Sequence, residues 1–177
     1  MKILTSPRLK LRKLVIEDAE FIVALLTDPD SLKYIGDRGV KNIKDAVAYI
    51  QQGPQSMYKQ HGLGLLLVES LEHQTPMGLC GLLKRPELPH PDIGFAFLPA
   101  YRKQGFASEA TKLVLDDAFE RRISEKLLAI TSVDNHKSII LLKKLGFSFK
   151  GLIDLTDNGE QTKLFEISIG TKKVSTF

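Results

Sequence analysis

Residues 98–110, LPAYRKQGFASEA, join a hydrophobic strand-like run, DIGFAFL at 92–98, to an amphipathic helical pattern that begins near Gly105. The first amides of a helix have no intrahelical acceptor, and the helix dipole adds about half a positive charge at this end. Gly105 allows the backbone to approach a ligand closely, and Arg102 and Lys103 add full charges beside it. The stretch therefore predicts an anion cradle that would fit a pyrophosphate.

The spacing of this cradle differs from two other phosphate-binding motifs. A Walker P-loop needs Gly-Lys-Ser/Thr, and the Rossmann fingerprint needs three glycines in the pattern GxGxxG. Only Gly105 is present here, so ATP and NAD are poor candidates for the bound anion.

The composition favours one domain over residues 1–177, with 43% hydrophobic residues and a net charge of +4. The cations are scattered among 21 acids, which indicates a weak attraction to anions and no dedicated nucleic-acid surface. Short basic runs such as RRISEK and LLKKLG are more simply solvated helix faces. The single cysteine, Cys80, excludes an internal disulfide and is expected to be a small buried hydrophobe.

Targeting signals are not recognisable in the chain. The first residues, MKILTSPRLKLRKL, lack the apolar core of a signal peptide, and no apolar run approaches the length of about 18 residues that a membrane span requires. We therefore expect a soluble cytoplasmic protein without a membrane partner.

Hydrophobic periodicity predicts a mixed α/β sheet layered with helices. The predicted order is one strand (RLKLRKL), two helices, three strands, a helix from Gly105, a strand (KLLAITSV), a helix capped by Asn135, and two final strands. The first helix is expected to end at Asp28-Pro29, with a loop, SLKYIGDRGVKN, before a second helix over about 43–58. Asn158-Gly159 in TDNGEQT predicts a hairpin between the last two strands.

Two motifs resemble the GNAT superfamily of acyl-CoA N-acetyltransferases. The family pattern Arg/Gln-x-x-Gly-x-Gly/Ala is matched by Arg102, Gly105 and Ala107. A second element, DNHKSIILLKKLGF, is similar to the family's Asn, small residue and Gly-Phe, here Asn135, Ser138, Gly146 and Phe147. The element order matches over almost the whole chain and looks most similar to the RimJ/RimL-like branch, which acetylates N-termini of ribosomal proteins and also includes antibiotic- and small-amine-modifying members.

The resemblance implies an α/β (α+β) GNAT fold: a single mixed, mostly antiparallel, seven-stranded sheet with helices on both faces. It implies acetyl-CoA as cosubstrate and no metal. The residues that it assigns to the pyrophosphate, besides Arg102, are Lys103, Gln104, Gly105, Phe106, Ala107 and Ser108. Those that it assigns to the pantetheine arm are Phe95, Ala96, Phe97, Leu98 and Asn135. The alternatives are an ordinary strand-to-helix turn with solvated cations and, for Asn135, a plain helix cap.

The catalytic residues implied by the resemblance are Asp92 and Ser138. Many relatives protonate the departing sulfur with a tyrosine seven residues after the Asn, where this chain has Leu142. In the ribosomal branch a serine three residues after the Asn takes that place, which points to Ser138 unless it is only a first-turn helix serine. Asp92 is the candidate general base, with a strand-edge acid facing water as its alternative.

Other titratable residues rank lower. Glu69 is a second candidate base, although VESLEH could equally be a polar turn, and Glu109 suits the dipole of its own helix. The four histidines show no metal-ligand spacing and are expected to be solvated.

The acceptor is expected to be the α-amine of a protein or peptide N-terminus. At pH 7 an α-amine with a pKa near 7.8 is about one-tenth unprotonated, against roughly one part in 2500 for lysine. A polyamine, an amino acid or an antibiotic stays an alternative, as does a catalytically weak CoA-binding module. Three segments are predicted to form an acceptor gate: the loop around Tyr34 to Arg38, RPELPHP at 85–91, and TDNGEQT at 156–162. Either a monomer or a homodimer fits the sequence.

Overall fold

An eight-stranded sheet forms the centre of the protein, in the strand order β1-β2-β3-β4-β5-β6-β8-β7. The structure is a computed structural model and describes residues 2–155 and 159–168. The strands are β1 (Leu4–Thr5), β2 (Leu9–Lys13), β3 (Gly64–Ser70), β4 (Pro76–Leu83), β5 (Asp92–Phe97), β6 (Lys126–Ser132), β7 (Ser148–Asp154) and β8 (Gln161–Ser168). All neighbouring strands are antiparallel except β5 and β6, which are parallel.

Helices cover both faces of this sheet. They are α1 (Ala19–Leu26), α2 (Pro29–Ile35), α3 (Ile43–Ile50), α4 (Ser56–His61), α5 (Phe106–Glu120) and α6 (His136–Lys144). None of the helices in the described part of the chain is long and apolar enough to cross a membrane. The family fold that the sequence predicts is confirmed, with eight strands in place of seven because the short β1 adds an edge to β2.

Two hydrophobic clusters separate the two faces. One cluster packs α5 and α6 against the sheet through residues such as Val114, Leu142 and Phe165. The other packs α1 and α3 against the opposite face through residues such as Ile22 and Ile50. Side chains alternate along a strand, so Ile93, Phe95 and Phe97 of β5 face α5, whereas Ala96 and Leu98 face α3.

The segment after α1 differs from its prediction. Pro29 does end α1, but it also begins α2, which occupies the start of the predicted loop. The Asp28 side chain caps this helix by accepting a hydrogen bond from the Ser31 N–H at 3.2 Å. Proline is well tolerated at the first helical position because its missing N–H would have no partner there. The same Asp-Pro pair therefore ends α1 and begins α2.

Two other predicted elements have changed bounds. The second predicted helix continues past residue 58, as α3, a π-helical segment at Gln51–Gln55 and α4. The final hairpin pairs β7 with β8 in antiparallel register from Ser148↔Glu166 to Asp154↔Gln161. Its predicted turn residue Asn158 lies outside the described residues.

Cys80 is buried as predicted, with no exposed surface. Its environment in the α5-facing cluster is apolar apart from Thr111, whose hydroxyl lies 3.7 Å from the sulfur. Burial raises the pKa of the Cys80 thiol to about 12, against a smaller lowering by Thr111. The thiol therefore stays protonated and unreactive at neutral pH.

The close approach of β3 and β4 depends on Gly81. A Cβ at this position would lie 2.1 Å from the Gly64 carbonyl oxygen and 2.8 Å from the Leu65 Cα, both backbone atoms that cannot move aside cheaply. We expect Gly81→Ala to lower the free energy of unfolding by about 3 kcal/mol in chemical denaturation. The control is Gly53→Ala, where an added Cβ meets nothing within 4 Å and a change of no more than about 1 kcal/mol is expected. Equal stability of the two variants would contradict this packing.

Candidate functional site

A wedge opens between β5 and β6. The two strands share one residue pair, Asp92↔Leu128, beside which the Leu128 N–H donates to the Pro91 carbonyl at 2.9 Å. On its other edge, β5 pairs with β4 from Leu83↔Asp92 to Gly78↔Phe97. Among the described residues, no further pairing joins β5 to β6, so their carboxyl-terminal halves leave a gap in the middle of the sheet.

The backbone of β5 supplies polar groups to this wedge. The N–H and C=O groups of one residue in a strand point to the same edge, and those of the next residue point to the opposite edge. The Pro91 carbonyl points to β6, whereas the Leu98 N–H donates to the carbonyl of Met77 in β4 at 3.0 Å. It follows that Phe95 and Phe97 direct their backbone groups into the wedge. Ala96 and Leu98, predicted to line it in the same way, direct theirs toward β4.

The loop after β5 carries the predicted anion cradle. In the described part of the chain, successive backbone N–H groups there have no hydrogen-bond acceptor: Lys103, Gln104, Gly105, Phe106, Ala107 and Ser108. Gly105 is the N-cap of α5, lies in the left-handed region with φ +83°, and provides no side-chain cap. Lys103 also has a positive φ, +60°, which is uncommon for a residue with a side chain and is found in functional loops. The end of α5 is thus open to an anionic ligand.

The Arg102 side chain bonds to residues outside the predicted anion cradle. Its Nε donates to the Phe97 carbonyl at 2.8 Å, and its two terminal nitrogens pair with Asp30, at 2.7 Å, and with Asp28. The guanidinium therefore joins the end of β5 to the start of α2. Its charge is neutralised there, which makes Arg102 a positioning residue for the loop and removes the alternative that it is solvated.

Arg8 contacts the other side of the loop, and the sequence did not predict these contacts. Its Nη1 donates to the Gln104 carbonyl at 3.1 Å, and its Nε lies 2.8 Å from the Glu109 carboxylate. Its guanidinium also stacks on the Phe106 ring, 4.4 Å from the ring centre. Burial raises the pKa of Glu109, but hydrogen bonds from Ser6 and Arg8 outweigh this and hold it below its usual value. Glu109 is therefore structural, as expected.

Asn135 and Ser138 lie at the start of α6, directly after the wedge strand β6. The Asn135 Oδ1 accepts the Ser138 N–H at 3.1 Å, so the predicted cap is present. Within the described residues, the Asn135 amide nitrogen and the Ser138 hydroxyl make no hydrogen bond, which leaves both available to a ligand. Leu142, at the position of the tyrosine in many relatives, is 1% exposed and packs in the core.

Asp92 lies at the closed end of the wedge. It is 1% exposed, which excludes the alternative of a strand-edge acid facing water. The Arg85 Nε donates to both carboxylate oxygens, at 3.0 and 3.1 Å. Burial raises the pKa of Asp92, whereas the charge and the hydrogen bonds of Arg85 oppose this rise. The result is a buried carboxylate that is a stronger base than an exposed aspartate.

Glu69, the second candidate base, belongs to a separate ion-pair network. Its carboxylate lies 2.8 Å from the Lys10 Nζ and 3.0 Å from the Arg12 Nε, and Arg12 also pairs with Asp18. Glu69 is only 3% exposed and belongs to β3, which β4 separates from β5. These contacts give it a structural role. Within the described ranges, 2–155 and 159–168, no cluster of histidine, cysteine or acidic residues could hold a metal ion.

Comparisons with known proteins show which family the chain belongs to. Residues 8–148 match the family model described as acetyltransferase (GNAT) domain. The chain belongs to the GNAT acetyltransferase family. It is 28% identical over 153 residues to a Bacillus subtilis protein named uncharacterized N-acetyltransferase YoaA, with 85% of each chain covered.

Solved structures share this GNAT fold. An acetyltransferase from Agrobacterium tumefaciens superposes with a TM-score of 0.81 at 21% identity, over 94% of both chains. An acetyl transferase from Salmonella typhimurium, which modifies the N-terminal serine of the 50S ribosomal subunit protein L7/L12, superposes with a TM-score of 0.80 at 14% identity. The second match covers 96% of this chain and 100% of that chain.

Loss of the Arg102 contacts should unfold the GNAT domain more easily. We expect Arg102→Ala to lower the free energy of unfolding by about 3 kcal/mol, because Asp28, with 8% of its side chain exposed, would lose its cation. The measurement is chemical denaturation beside Lys112→Ala, which breaks only the exposed pair with Asp116 and should cost no more than about 0.5 kcal/mol. Similar losses in both variants would show that Arg102 has no special role.

Proposed function

We propose that this GNAT protein transfers an acetyl group from acetyl-CoA to the α-amine of a protein or peptide N-terminus. The observation that carries the proposal is the wedge between β5 and β6, which leads directly to the unpartnered amides at the start of α5. Such an arrangement offers an elongated thioester a slot for its arm and a cradle for its pyrophosphate.

The cofactor side is assigned mainly to backbone groups. The amides from Lys103 to Ser108 would hold the pyrophosphate, aided by the positive end of the α5 dipole. Phe95 would offer its N–H and C=O groups to the amides of the pantetheine arm, and Phe97 its N–H group, because the Phe97 carbonyl already accepts the Arg102 Nε. The free nitrogen of the Asn135 side chain would donate from the opposite wall while its oxygen continues to cap α6.

Asp92 and Ser138 are proposed to move the protons of the reaction. Acetyl-CoA supplies an activated acetyl thioester. Asp92, at the closed end of the wedge, would accept the proton that the attacking amine loses. Ser138 would donate a proton to the departing sulfur and regain one from solvent. Positioning of the two reactants can supply roughly 7–11 kcal/mol, whereas acid–base help is typically worth about 10² to 10⁴ in rate, so positioning dominates.

The choice of an α-amine acceptor rests on its pKa and on the fold. A site with one buried carboxylate suits an amine that is already about one-tenth unprotonated at pH 7 better than a lysine. The structural similarity to an enzyme that modifies an N-terminal serine favours the RimJ/RimL-like branch. A small-molecule amine acceptor and a CoA-binding module without turnover are the alternatives, and we place the protein in the cytoplasm as the sequence predicts.

Release of free thiol from acetyl-CoA tests this function. The acceptors are short peptides with varied N-termini, polyamines and aminoglycosides, and we expect release with peptides. Cys80 has no exposed surface and contributes no background to a thiol reagent. Release only with polyamines or aminoglycosides would replace the proposed acceptor. Tight binding of acetyl-CoA without release for any acceptor would favour the binding module.

A charge placed in the cradle should block the cofactor and spare the fold. We expect Ala107→Asp to weaken acetyl-CoA binding at least 100-fold in calorimetry, because the new carboxylate competes with the pyrophosphate for the same amides. An acid in the first turn of a helix is stabilising, which offsets the packing that the half-buried Ala107 loses against the core, so most of the thermal stability should be kept. The matched neutral variant Ala107→Asn should lose far less affinity. Equal affinities for the two variants would place the pyrophosphate elsewhere.

The Ser138 hydroxyl is expected to act in turnover and not in binding. We expect Ser138→Ala to lower kcat by about 10²-fold while the Kd for acetyl-CoA stays within about twofold, since the backbone N–H that Asn135 caps is retained. Steady-state kinetics and calorimetry measure the two quantities separately. An unchanged kcat would leave Ser138 with a structural role only.

A further inference from the structure

Arg8 lies directly beside the peptide that joins Gln104 to Gly105 in the predicted anion cradle. Its Nη1 donates to the Gln104 carbonyl at 3.1 Å. Its Nη2 lies 3.4 Å from the position that a Cβ on Gly105 would occupy. The guanidinium therefore contacts one side of this peptide, although Arg8 precedes Gln104 by 96 residues in the chain.

The bond to the Gln104 carbonyl also determines where the next N–H points. The peptide bond between Gln104 and Gly105 is trans. In a planar trans peptide, the C=O of one residue and the N–H of the next point in opposite directions. Because Arg8 holds the Gln104 oxygen on its own side, the Gly105 N–H points away from Arg8. This N–H is one of the cradle amides that have no acceptor in the described part of the chain.

Without such a bond, the peptide between Gln104 and Gly105 is free to turn over. A turn of the peptide plane changes φ of the second residue, and glycine adopts positive and negative φ about equally readily. Gly105 has φ +83°, so the opposite orientation is also open to it. That orientation would place the Gln104 carbonyl oxygen where an N–H now lies. An oxygen at this point would repel a phosphate, whose binding at a helix start depends on N–H groups.

Arg8 is itself held in one position by Glu109 and Phe106. Its Nε and its Nη2 lie 2.8 and 2.5 Å from the same oxygen of the Glu109 carboxylate. The second oxygen of that carboxylate accepts the Ser6 hydroxyl at 2.6 Å. The guanidinium also stacks on the Phe106 ring. The charge of Arg8 is thus already paired with Glu109, and what Arg8 gives to the cradle is a directed N–H group.

Building on the proposed function, we propose that Arg8 is a positioning residue for the cofactor, because its bond to the Gln104 carbonyl keeps the Gly105 N–H directed at the pyrophosphate. Arg8 then acts through the backbone of the loop and does not need to touch the ligand. Its effect is confined to the pyrophosphate. A cation that binds the 3′-phosphate of CoA would have a different effect.

A cofactor analogue separates these two roles. Dephospho-CoA keeps the pyrophosphate of CoA and lacks its 3′-phosphate. We expect Arg8→Met to raise the Kd of both ligands by the same factor, about 10-fold, because a hydrogen bond from a charged donor no longer orients the Gly105 N–H. Calorimetry measures the two Kd values. A loss confined to CoA would mean that Arg8 binds the 3′-phosphate directly, and it would overturn the proposal.

The variant Arg8→Lys tests whether the directed donor or the charge matters. A lysine keeps the charge beside Glu109, but its ammonium group does not reproduce the planar fork that bonds to Glu109 and to the Gln104 carbonyl together. We therefore expect Arg8→Lys to weaken the binding of both ligands nearly as much as Arg8→Met does. Wild-type affinity in Arg8→Lys would show that only the charge matters and would overturn the positioning role.

The variant Lys2→Met is the matched control. Lys2 also joins the start of the chain to α5, through an exposed pair with Glu120 at the opposite end of the helix. Its loss should leave both Kd values within about twofold of the wild type. S-acetylpantetheine lacks the pyrophosphate, so its kcat/KM should stay unchanged in Arg8→Met. An equal fall in kcat/KM for acetyl-CoA and S-acetylpantetheine would indicate a general loss of structure and would contradict the proposal.

Failure of this inference can be separated from failure of the proposed function. If CoA binds and no acceptor supports thiol release, acetyl transfer is refuted, and the Kd values still decide the role of Arg8. If thiol is released and the Kd values of both Arg8 variants equal those of the wild type, the acetyltransferase stands without this positioning role. If neither CoA nor dephospho-CoA binds the wild type, both proposals are overturned.

Discussion

The separation of β5 from β6 after a single residue pair is the constraint on which the site depends. Backbone N–H and C=O groups in the middle of a sheet need partners, and an interior strand normally finds them on both sides. Here Phe95 and Phe97 lack a neighbouring strand on one side, and the amides from Lys103 to Ser108 lack acceptors in the described chain. An extended ligand with amide groups would pair with the backbone of β5, and its phosphate groups would accept from the amides at the start of α5. The fold itself therefore defines the shape of the cofactor.

Ion pairs over long sequence distances hold this open edge in place. Arg102 joins the end of β5 to α2 through Asp28 and Asp30, and Arg8, directly before β2, pairs with Glu109 in the first turn of α5. At the far end of α2, Lys33 pairs with Asp134 in the loop after β6 at 2.9 Å. The short helix α2 thus contacts the segments that follow both wedge strands. The two walls are therefore tied together by side chains outside the sheet, which leaves the backbone between them free.

The sequence predicted the elements whose signals are local. The strand before the loop, the cap at Asn135 and the succession of strands along the chain follow from nearby residues, and the structure confirms them. The role of Arg8 could not be predicted, because its contacts are about a hundred residues away and its local pattern is that of an edge strand. Asp28-Pro29 predicts the end of one helix, and the same pair of residues also fits the start of another, so the sequence alone does not reveal α2. Glu69 was ambiguous for a similar reason, since its cations lie on another strand.

A physical asymmetry explains why the cofactor was easier to predict than the acceptor. The cradle and the wedge use backbone groups, which depend on fold and on a few small residues, so proteins of low identity can share them. An acceptor is recognised by side chains of loops and helices, which the sheet does not constrain. Resemblance to a family therefore predicts the cofactor and does not predict the acceptor. The acceptor of this GNAT protein therefore has to be inferred from its own side chains and not from the family.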